Sequence, residues 1–281
     1  MPGGWDSVMA RLDAAAALLD DERPIRPPQG GAGPYRLGVD LGTADVVVMA
    51  VDAEGNPAAA FLEWASVVRD GVVVDYFGAI ELTRKLVAKA EKRLGVHFTE
   101  AATSFPPGTD PRLSTNILDA AGLTVSGFAD EPTCVALLAG LNNAAVVDIG
   151  GGTTGTAVIK GGRVVFSADE PTGGHHLTLV LSGALRLPYA EAELKKRGPG
   201  NEAYAATLAP VFERIADIVR KHIRGHKVRS VHLTGGTCCF PGIDKIFERE
   251  LGLPVVLPSQ PLLLTPLAIA SLRLPATGRG T

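Results

Sequence analysis

The chain has 281 residues, a formal net charge of −3 and 46% hydrophobic residues, enough for one large or two moderate domains with a substantial core. It contains no basic run or basic-aromatic patch, so we expect no nucleic-acid partner, and no apolar stretch reaches the roughly 18 residues that cross a bilayer. The N-terminus lacks the pattern of a secretory signal and three cysteines indicate no disulfide framework, which together predict a cytoplasmic, reducing environment.

The N-terminal segment, residues 1–34, reads as an amphipathic helix followed by a linker. Trp5, Val8, Leu12 and Leu19 fall on one apolar stripe at helical spacing, which predicts a helix as far as Asp20. The following DDERPIRPPQGGAGP is rich in proline and glycine and cannot continue a helix.

From Tyr35 onward the elements alternate as in an α/β protein. Residues 36–57 read as strand, tight turn, strand and second turn, and Val67–Asp75 as a hairpin that turns at Asp70 and Gly71. Further helices are predicted at Ile80–Leu94, Asp110–Gly122, Glu131–Ala139, Leu177–Leu185, Tyr189–Arg197, Asn201–Arg224, Ile243–Leu251 and Thr265–Leu272. Further strands are predicted at Ala101–Phe105, Val125–Phe128 and Ser230–Thr234, with a strand-turn-strand from Ala145 and a loop at GGTCCFPG.

Residues 145–160, AVVDIGGGTTGTAVIK, contain the letters of the dinucleotide fingerprint G-x-G-x-x-G. That fingerprint requires a helix directly after the glycines, because the helix N-terminus binds the pyrophosphate. Here TAVIKGGRVVF follows, and its β-branched residues and Gly-Gly turn predict a hairpin instead. A dinucleotide site is therefore not expected, and the sequence also lacks the phosphate loop G-x-x-x-x-G-K-[ST].

The pattern around these glycines occurs twice in the chain. LGVDLGTADVVVMAVDAEGNP and AVVDIGGGTTGTAVIKGGRV both run from an apolar strand through Asp and a glycine turn with Thr into a second apolar strand. Asp40 and Asp148 are the matching acids. An internal repeat of this kind predicts two similar domains facing each other across a cleft.

The composition of the two turns indicates phosphate chemistry. Glycine lets backbone N–H groups approach phosphate oxygens, and Thr43, Thr153 and Thr154 would add hydroxyl donors. Asp40 and Asp148 would repel phosphates unless a cation lay between them, and Mg²⁺ binds through a few carboxylates plus the phosphates of a substrate. Each turn alone is compatible with a plain tight hairpin; the pair predicts a clamp on a magnesium–nucleoside triphosphate.

Three motifs in order, DLGT, DIGGGTTG and LTGGT, resemble the phosphate-one, phosphate-two and adenosine motifs of the actin, DnaK and sugar-kinase ATPase superfamily. ADEPTCVALLAG is similar to the helix that ends the first domain of DnaK-type chaperones. The resemblance implies an α/β actin-like ATPase fold, with two duplicated ribonuclease-H-like domains around a nucleotide cleft. The first domain would span 35–143, with a C-terminal helix at about 261–273, and the second would span 144–260.

The resemblance also implies roles for individual residues. Asp40 and Asp148 would be catalytic and metal-binding acids, and Glu131 would orient the attacking water, although capping of its own helix explains it equally well. The residues implied in ATP binding are Gly42, Thr43, Gly150, Gly151, Gly152, Thr153, Gly173, Gly174, Glu193, Lys196, Gly235, Gly236 and Thr237. An exposed helix charge pair is the alternative for Glu193 and Lys196.

Departures from the DnaK-type pattern bear on catalysis. Gly155 stands where those chaperones carry an aspartate, and only short hairpins separate Asp52 from Ile80, where their extra subdomain brings a catalytic lysine. Both departures predict slow hydrolysis. The separate peptide-binding domain has no counterpart either, so a chaperone-like role would need another surface. His175 and His176 have no further ligands in view, and a metal site is not expected there.

Six segments are similar to a family of ethanolamine-utilisation proteins within this superfamily: GVDLGTADVV, WASVVRDGVVVDYFGA, AATSFPPGTDPR, VVDIGGGTTG, SADEPTGGHH and LLLTPLAIAS. The resemblance implies a chaperone-like protein that binds ATP and Mg²⁺, hydrolyses slowly and serves an ethanolamine-pathway enzyme or a bacterial microcompartment component, with a homo-oligomer among the expected states. An actin-like filament scaffold and a small-molecule kinase are the alternatives. The N-terminal helix and tether resemble encapsulation tags of microcompartment cargo; a helix docked on its own domain is the other interpretation.

Overall fold

The computed structural model describes residues 4–25, 35–65, 68–69, 72–73 and 75–273. The predicted hairpin turn at Asp70 and Gly71 and the part of the linker at 26–34 lie outside the described residues. The chain divides into two compact units, the first formed by residues 1–140 with 263–281 and the second by residues 141–262.

The first unit contains a five-stranded sheet, a separate two-stranded sheet formed by its fourth and fifth strands, and helices. Its elements are α1 (Trp5–Ala17), β1 (Arg36–Leu41), β2 (Asp45–Val51), β3 (Pro57–Trp64), β4 (Val68–Arg69), β5 (Val72–Val73), α2 (Tyr76–Leu94), β6 (Glu100–Phe105), α3 (Arg112–Ala121), β7 (Thr124–Asp130) and α4 (Glu131–Ala139). One face of the sheet packs on α2 and α3 in a continuous apolar core. On β1, a Cβ added at Gly38 would lie 2.5 Å from the backbone nitrogen of Ala270, so glycine permits a close backbone approach there.

The second unit is also a five-stranded sheet with helices. Its elements are β8 (Ala144–Ile149), β9 (Thr154–Lys160), β10 (Arg163–Glu170), α5 (Gly174–Leu185), α6 (Tyr189–Arg197), α7 (Ala205–Ile223), β11 (Ser230–Thr234), α8 (Ile243–Leu251), β12 (Val255–Val256) and the start of α9 (Pro261–Ala270). Short 3₁₀ turns lie at Asn201–Tyr204 and Gly236–Cys239. The core joins β8, β9 and β11 to α5, α7 and α8, with Phe212 and Phe247 fully buried.

The two sheets have the same strand order. It is β3-β2-β1-β6-β7 in the first unit and β10-β9-β8-β11-β12 in the second. In each sheet the first three strands pair antiparallel and the last two join in parallel. The sequence repeat is therefore a structural repeat, and in both units the carboxyl ends of the parallel strands meet at one sheet edge.

Helix ends follow the local signals in most cases. The predicted bounds of α4, α6, α8 and β11 are confirmed, and α4 is capped by Asp130, whose carboxylate accepts from Thr133 N at 2.9 Å. Helix α2 begins four residues before the predicted Ile80, because Asp75 caps it by accepting from Gly78 N at 2.8 Å. It ends at Leu94, and Gly95 follows in the left-handed conformation as the predicted stop.

The N-terminal helix docks on the first unit. Val8, Leu12 and Ala15 are fully buried, and the helix ends at Ala17 rather than at the predicted Asp20 because the chain turns to pair with β3. Asp20 N donates to Ala60 O at 2.8 Å, and the carboxylate of Asp20 accepts from Leu62 N at 3.1 Å. The structure thus favours the docked helix over an exposed encapsulation tag.

A buried arginine ties the segment after α1 to α2. The Arg93 side chain is 4% exposed and pairs with the Asp21 carboxylate at 3.0 Å. It also donates to Ala58 O at 3.0 Å, to Asp21 O at 2.8 Å and to Arg23 O at 2.9 Å. The segment is therefore part of the first unit's structure.

Several further elements differ from the predictions. The strand β3 was not predicted, α5 begins at Gly174 rather than Leu177, and α7 begins at Ala205 after a 3₁₀ turn rather than at Asn201. The two-residue strand β12 was not predicted because it is too short to show a period, and α9 begins at Pro261 rather than Thr265. The predicted loop GGTCCFPG contains a 3₁₀ turn. Of the helices in the described part of the chain, none combines the length and apolar character needed to cross a bilayer.

Candidate functional site

The predicted acids of the first unit lie at the carboxyl edge of its sheet. Asp40 is near the end of β1, where Ser104 Oγ donates to its Oδ1 at 3.5 Å, and Glu131 directly follows β7 at the start of α4. Burial raises the pKa of the Cys134 thiol, and the charges of Asp130, Asp40 and Glu131 raise it further, so all three acids lie within electrostatic range of this buried side chain. Open α/β sheets bind ligands at this edge.

Gly42 and Thr43 form the turn between β1 and β2, beside Asp40. Both are partly exposed. A Cβ added at Gly42 would lie 3.0 Å from the backbone and carboxylate oxygens of Asp45, so the Asp45 side chain folds back over this turn. The turn has the accessibility that a phosphate contact requires.

The glycine turn of the second unit, Gly150–Thr153, is held from its inner side by three donors. Gly150 O accepts from Gly174 N at 3.0 Å and from Thr237 Oγ1 at 2.8 Å. Gly151 O accepts from His175 N at 2.7 Å. Two of these donors are first-turn amides of α5, which have no partner within their own helix.

The orientation of these carbonyls fixes the direction of the following N–H groups. No cis peptide bond occurs among the described residues, and in a trans peptide the C=O and N–H point in opposite directions. The N–H groups of Gly151 and Gly152 therefore point away from α5, and within the described ranges neither donates to a backbone carbonyl. Two consecutive amides that point the same way are donors of the kind that can bind an anion.

Three further glycines let the surrounding backbone come close to this turn. A Cβ at Gly173 would lie 2.7 Å from Gly150 O, and one at Gly174 would lie 2.6 Å from Thr237 Oγ1. Gly235, with φ +92, lies against Asp148 and Ile149 O. Since β8 and β11 are parallel neighbours and Asp148 pairs with Thr234, the turns after both strands meet at one edge. The structure thus brings together Asp148, Gly150–Thr153, Gly173, Gly174 and Gly235–Thr237.

Thr153 and Thr154 have different partners. The Thr154 hydroxyl is fully buried and donates to Thr172 O at 2.5 Å, so it is not available as the phosphate donor that the sequence suggested. The Thr153 side chain hydrogen-bonds Asp169, a residue of β10 that sequence reasoning did not select. The pKa of Asp169 is raised to about 7, mainly by burial and to a smaller extent by the charges of Asp148 and Glu170, while the hydrogen bond with Thr153 lowers it.

Glu193 and Lys196 lie beside the same turn, on α6. Lys196 Nζ contacts three acceptors, the Glu193 carboxylate at 2.8 Å, Gly174 O at 2.9 Å and Thr178 Oγ1 at 2.8 Å. Thr178 Oγ1 also donates to Glu193. Burial lowers the pKa of Lys196 in spite of its carboxylate partner. The pair is therefore largely buried and braces α6 against α5; its contact with adenosine stays a prediction.

The donor set is compatible with a magnesium ion that is held largely by its nucleotide. Within the ranges that the structure describes, no group of three or more His, Cys, Asp and Glu side chains is placed to ligate one metal ion. Mg²⁺ usually keeps several waters and uses one or two carboxylates plus phosphates. Asp148 is 6% exposed and lies just before the glycine turn. It could supply the one carboxylate that such a magnesium site takes from the protein.

Comparison with known proteins gives consistent results. A family model described as Cell division protein FtsA matches residues 145–272. Ethanolamine utilization protein EutJ of Escherichia coli (strain K12) is 52% identical over 262 residues, which cover 93% of this chain and 92% of that protein. The crystal structure of EutJ from Carboxydothermus hydrogenoformans shares 43% identity, covers 94% of this chain and 98% of that one, and has a TM-score of 0.88. MreB5 of Spiroplasma citri bound to ADP, at 20% identity, covers 83% and 94% of the chains with a TM-score of 0.66, a likeness of fold alone.

The repeated strand order, the glycine turns at the sheet edges and these likenesses define an actin-like ATPase fold built from two duplicated domains. The predicted fold class is thereby confirmed. Since the identity to the Escherichia coli protein exceeds half and extends over nearly all of both chains, this chain belongs to the ethanolamine utilization protein EutJ family.

Proposed function

We propose that this chain binds Mg-ATP, hydrolyses it slowly and acts as a chaperone-like protein in ethanolamine utilisation. The observation that carries nucleotide binding is the glycine turn at 150–153, whose carbonyls are held by α5 and Thr237 so that two consecutive N–H groups point away from α5. Membership in an actin-like ATPase superfamily supports a nucleotide as the anion. Membership in the EutJ family supports the pathway.

In this proposal the residues of each unit have separate tasks. The N–H groups of Gly151 and Gly152 bind phosphate oxygens, and Gly235–Thr237 contacts the nucleoside. Asp148 holds a water of the magnesium shell, and a bound Mg²⁺ supplies charge neutralisation at the phosphates. Asp40, Gly42 and Thr43 in the first unit are proposed phosphate and metal contacts, and Glu131 is proposed to orient water.

Slow hydrolysis is expected from the sheet itself. Gly155 pairs with Asp148 on β8 and with Asp169 on β10, so the middle strand contributes no carboxylate at the position where DnaK-type chaperones have one. One fewer charged group beside the phosphates leaves less stabilisation of the transition state.

Calorimetric titration with ATP, with and without Mg²⁺, tests nucleotide binding. The wild type should bind with Mg²⁺, and Asp148→Asn should weaken binding at least tenfold. Asp217→Asn, which removes the same charge from a partly exposed position on α7, is the matched control and should bind like the wild type. No heat of binding with the wild type, or equal affinity for both variants, would argue against the proposal.

The chaperone-like role is tested separately. Tagged protein should recover an ethanolamine-pathway enzyme or microcompartment component from cells grown on ethanolamine, in an amount that changes with ATP. A bait carrying Asp148→Asn should lose the response to ATP. If the amount of recovered partner is the same with and without ATP, the nucleotide-dependent role is refuted, while the proposal that the chain binds ATP is unaffected.

A further inference from the structure

Asp169 lies in register with the acid of the glycine motif. Gly155 of β9 pairs with Asp148 of β8 on one side and with Asp169 of β10 on the other. Directly paired residues of antiparallel strands project to the same face of a sheet. With strands about 4.8 Å apart, the two aspartates share one face with Cα atoms roughly 10 Å apart, and glycine puts no side chain between them.

The surroundings of Asp169 are unusual for a carboxylate. Its Oδ1 is buried, and among the described residues it has no hydrogen-bond partner. A hydrogen bond from the side chain of Thr153, at the end of the glycine turn, lowers the pKa of this carboxyl. Thr153 itself is 8% exposed, so water competes little for this bond. A buried carboxylate with an oxygen that has no partner lowers stability, which calls for a functional reason to have it there.

The hydrogen bond decides which polar atom Thr153 can offer. A hydroxyl has one proton and two lone pairs. When the proton is donated to the ionised Asp169 carboxylate, Thr153 has only lone pairs left for a ligand. It can then accept from a water of a magnesium shell, but it cannot donate to a phosphate oxygen as the sequence suggested.

We propose that Asp169 is a positioning residue of the candidate site, which accepts the hydrogen bond of the Thr153 hydroxyl and so fixes this side chain, at the end of the glycine turn, as an acceptor for a ligand. The inference rests on the proposed nucleotide binding and adds to it a residue that neither glycine motif contains. Asp169 acts through Thr153 and needs no contact with the nucleotide.

A double-mutant cycle at pH 8.5, where Asp169 is ionised, tests this role. Asp169→Ala and Thr153→Val should each weaken Mg-ATP binding about tenfold, equivalent to about 1.4 kcal/mol, and the double variant should bind no more weakly than either. Asp169→Asn keeps an acceptor oxygen and should restore affinity to within about threefold of the wild type. Glu170→Ala, which removes the exposed neighbouring charge, is the matched control and should bind like the wild type.

The free energy of unfolding of the same variants is measured in urea without nucleotide. The losses from Asp169→Ala and Thr153→Val should again be less than additive in the double variant. Three outcomes would each overturn the positioning role and leave the proposed nucleotide binding standing. They are full Mg-ATP affinity in Asp169→Ala, losses of affinity that multiply in the double variant, and an affinity of Asp169→Asn as low as that of Asp169→Ala. A wild type that fails to bind Mg-ATP would overturn both.

Discussion

Replacing Gly235 with alanine should destabilise the second unit at the point where Asp148 is held. Gly235 has φ +92 and ψ 157, a backbone conformation that is nearly specific to glycine. An added Cβ would lie 2.5 Å from Ile149 O and closer still to Asp148 Oδ1. Both neighbours are buried and one is backbone, so neither can move away easily.

The magnitude follows from two separate costs. A side chain in this backbone conformation costs about 1–3 kcal/mol, and overpacking a tight site costs about 1–3 kcal/mol more. The free energy of unfolding should therefore fall by about 2–6 kcal/mol. Gly225→Ala is the matched control, because Gly225 has φ +82 but open space at the Cβ position, and should cost only about 1–2 kcal/mol.

Urea unfolding followed by far-UV circular dichroism measures the difference. Tryptophan fluorescence serves as an internal reference, because both tryptophans, Trp5 and Trp64, belong to the first unit. Gly235→Ala should lower the dichroism midpoint clearly more than Gly225→Ala and should change the fluorescence midpoint less. Equal midpoints for the two variants would refute the account of how Asp148 is packed.

Two further predictions concern charged groups. The pKa of Asp169 is raised from 3.8 to about 7 in the folded chain, so the folded state retains a proton that the unfolded state has released, and stability should fall as the pH rises through this window. The loss in the free energy of unfolding is at most about 4 kcal/mol, and the partial exposure of Asp169 makes it smaller. Measured by urea unfolding, Asp169→Asn should remove most of the fall in stability between pH 5 and pH 8. A fall of the same size in this variant would contradict the assignment. Arg93→Met should release the N-terminal segment and cost about 3–5 kcal/mol, as expected when a buried pair loses one partner. Limited proteolysis should then cut near residues 18–25 much faster than in Lys89→Met, whose ammonium pairs with Glu22 at a more exposed site; equal cleavage of both variants would show that Arg93 does not hold the segment.

The fold could be predicted where local signals and the repeat agreed. Glycine stops and the two strand-turn-strand segments predicted many of the elements, and the hairpin predicted after Gly155 is present as β9 and β10. The first turn of α2 was missed because Tyr76 and Phe77 are exposed and break the apolar period. The cap at Asp75 was the signal that could have found it.

The candidate site was predictable only where it lies within a motif. Asp169 sits in SADE on β10, and its importance appears only when register places it across Gly155 from Asp148. Likewise, the spacing of Glu193 and Lys196 indicates a helix pair, but not that Lys196 also binds Gly174 O and Thr178 on α5. Such partners depend on tertiary packing between elements that are distant in sequence.

The claim that the glycine turn binds phosphate through its two consecutive amides can be tested directly by nuclear magnetic resonance. In ¹⁵N-labelled wild-type protein titrated with Mg-ATP, the amide resonances of Gly151 and Gly152 should shift and saturate at the affinity measured by calorimetry. The amides of Gly225 and Gly242, which are open glycines elsewhere in the second unit, should stay in place. Unmoved Gly151 and Gly152 resonances at saturating Mg-ATP would contradict the account.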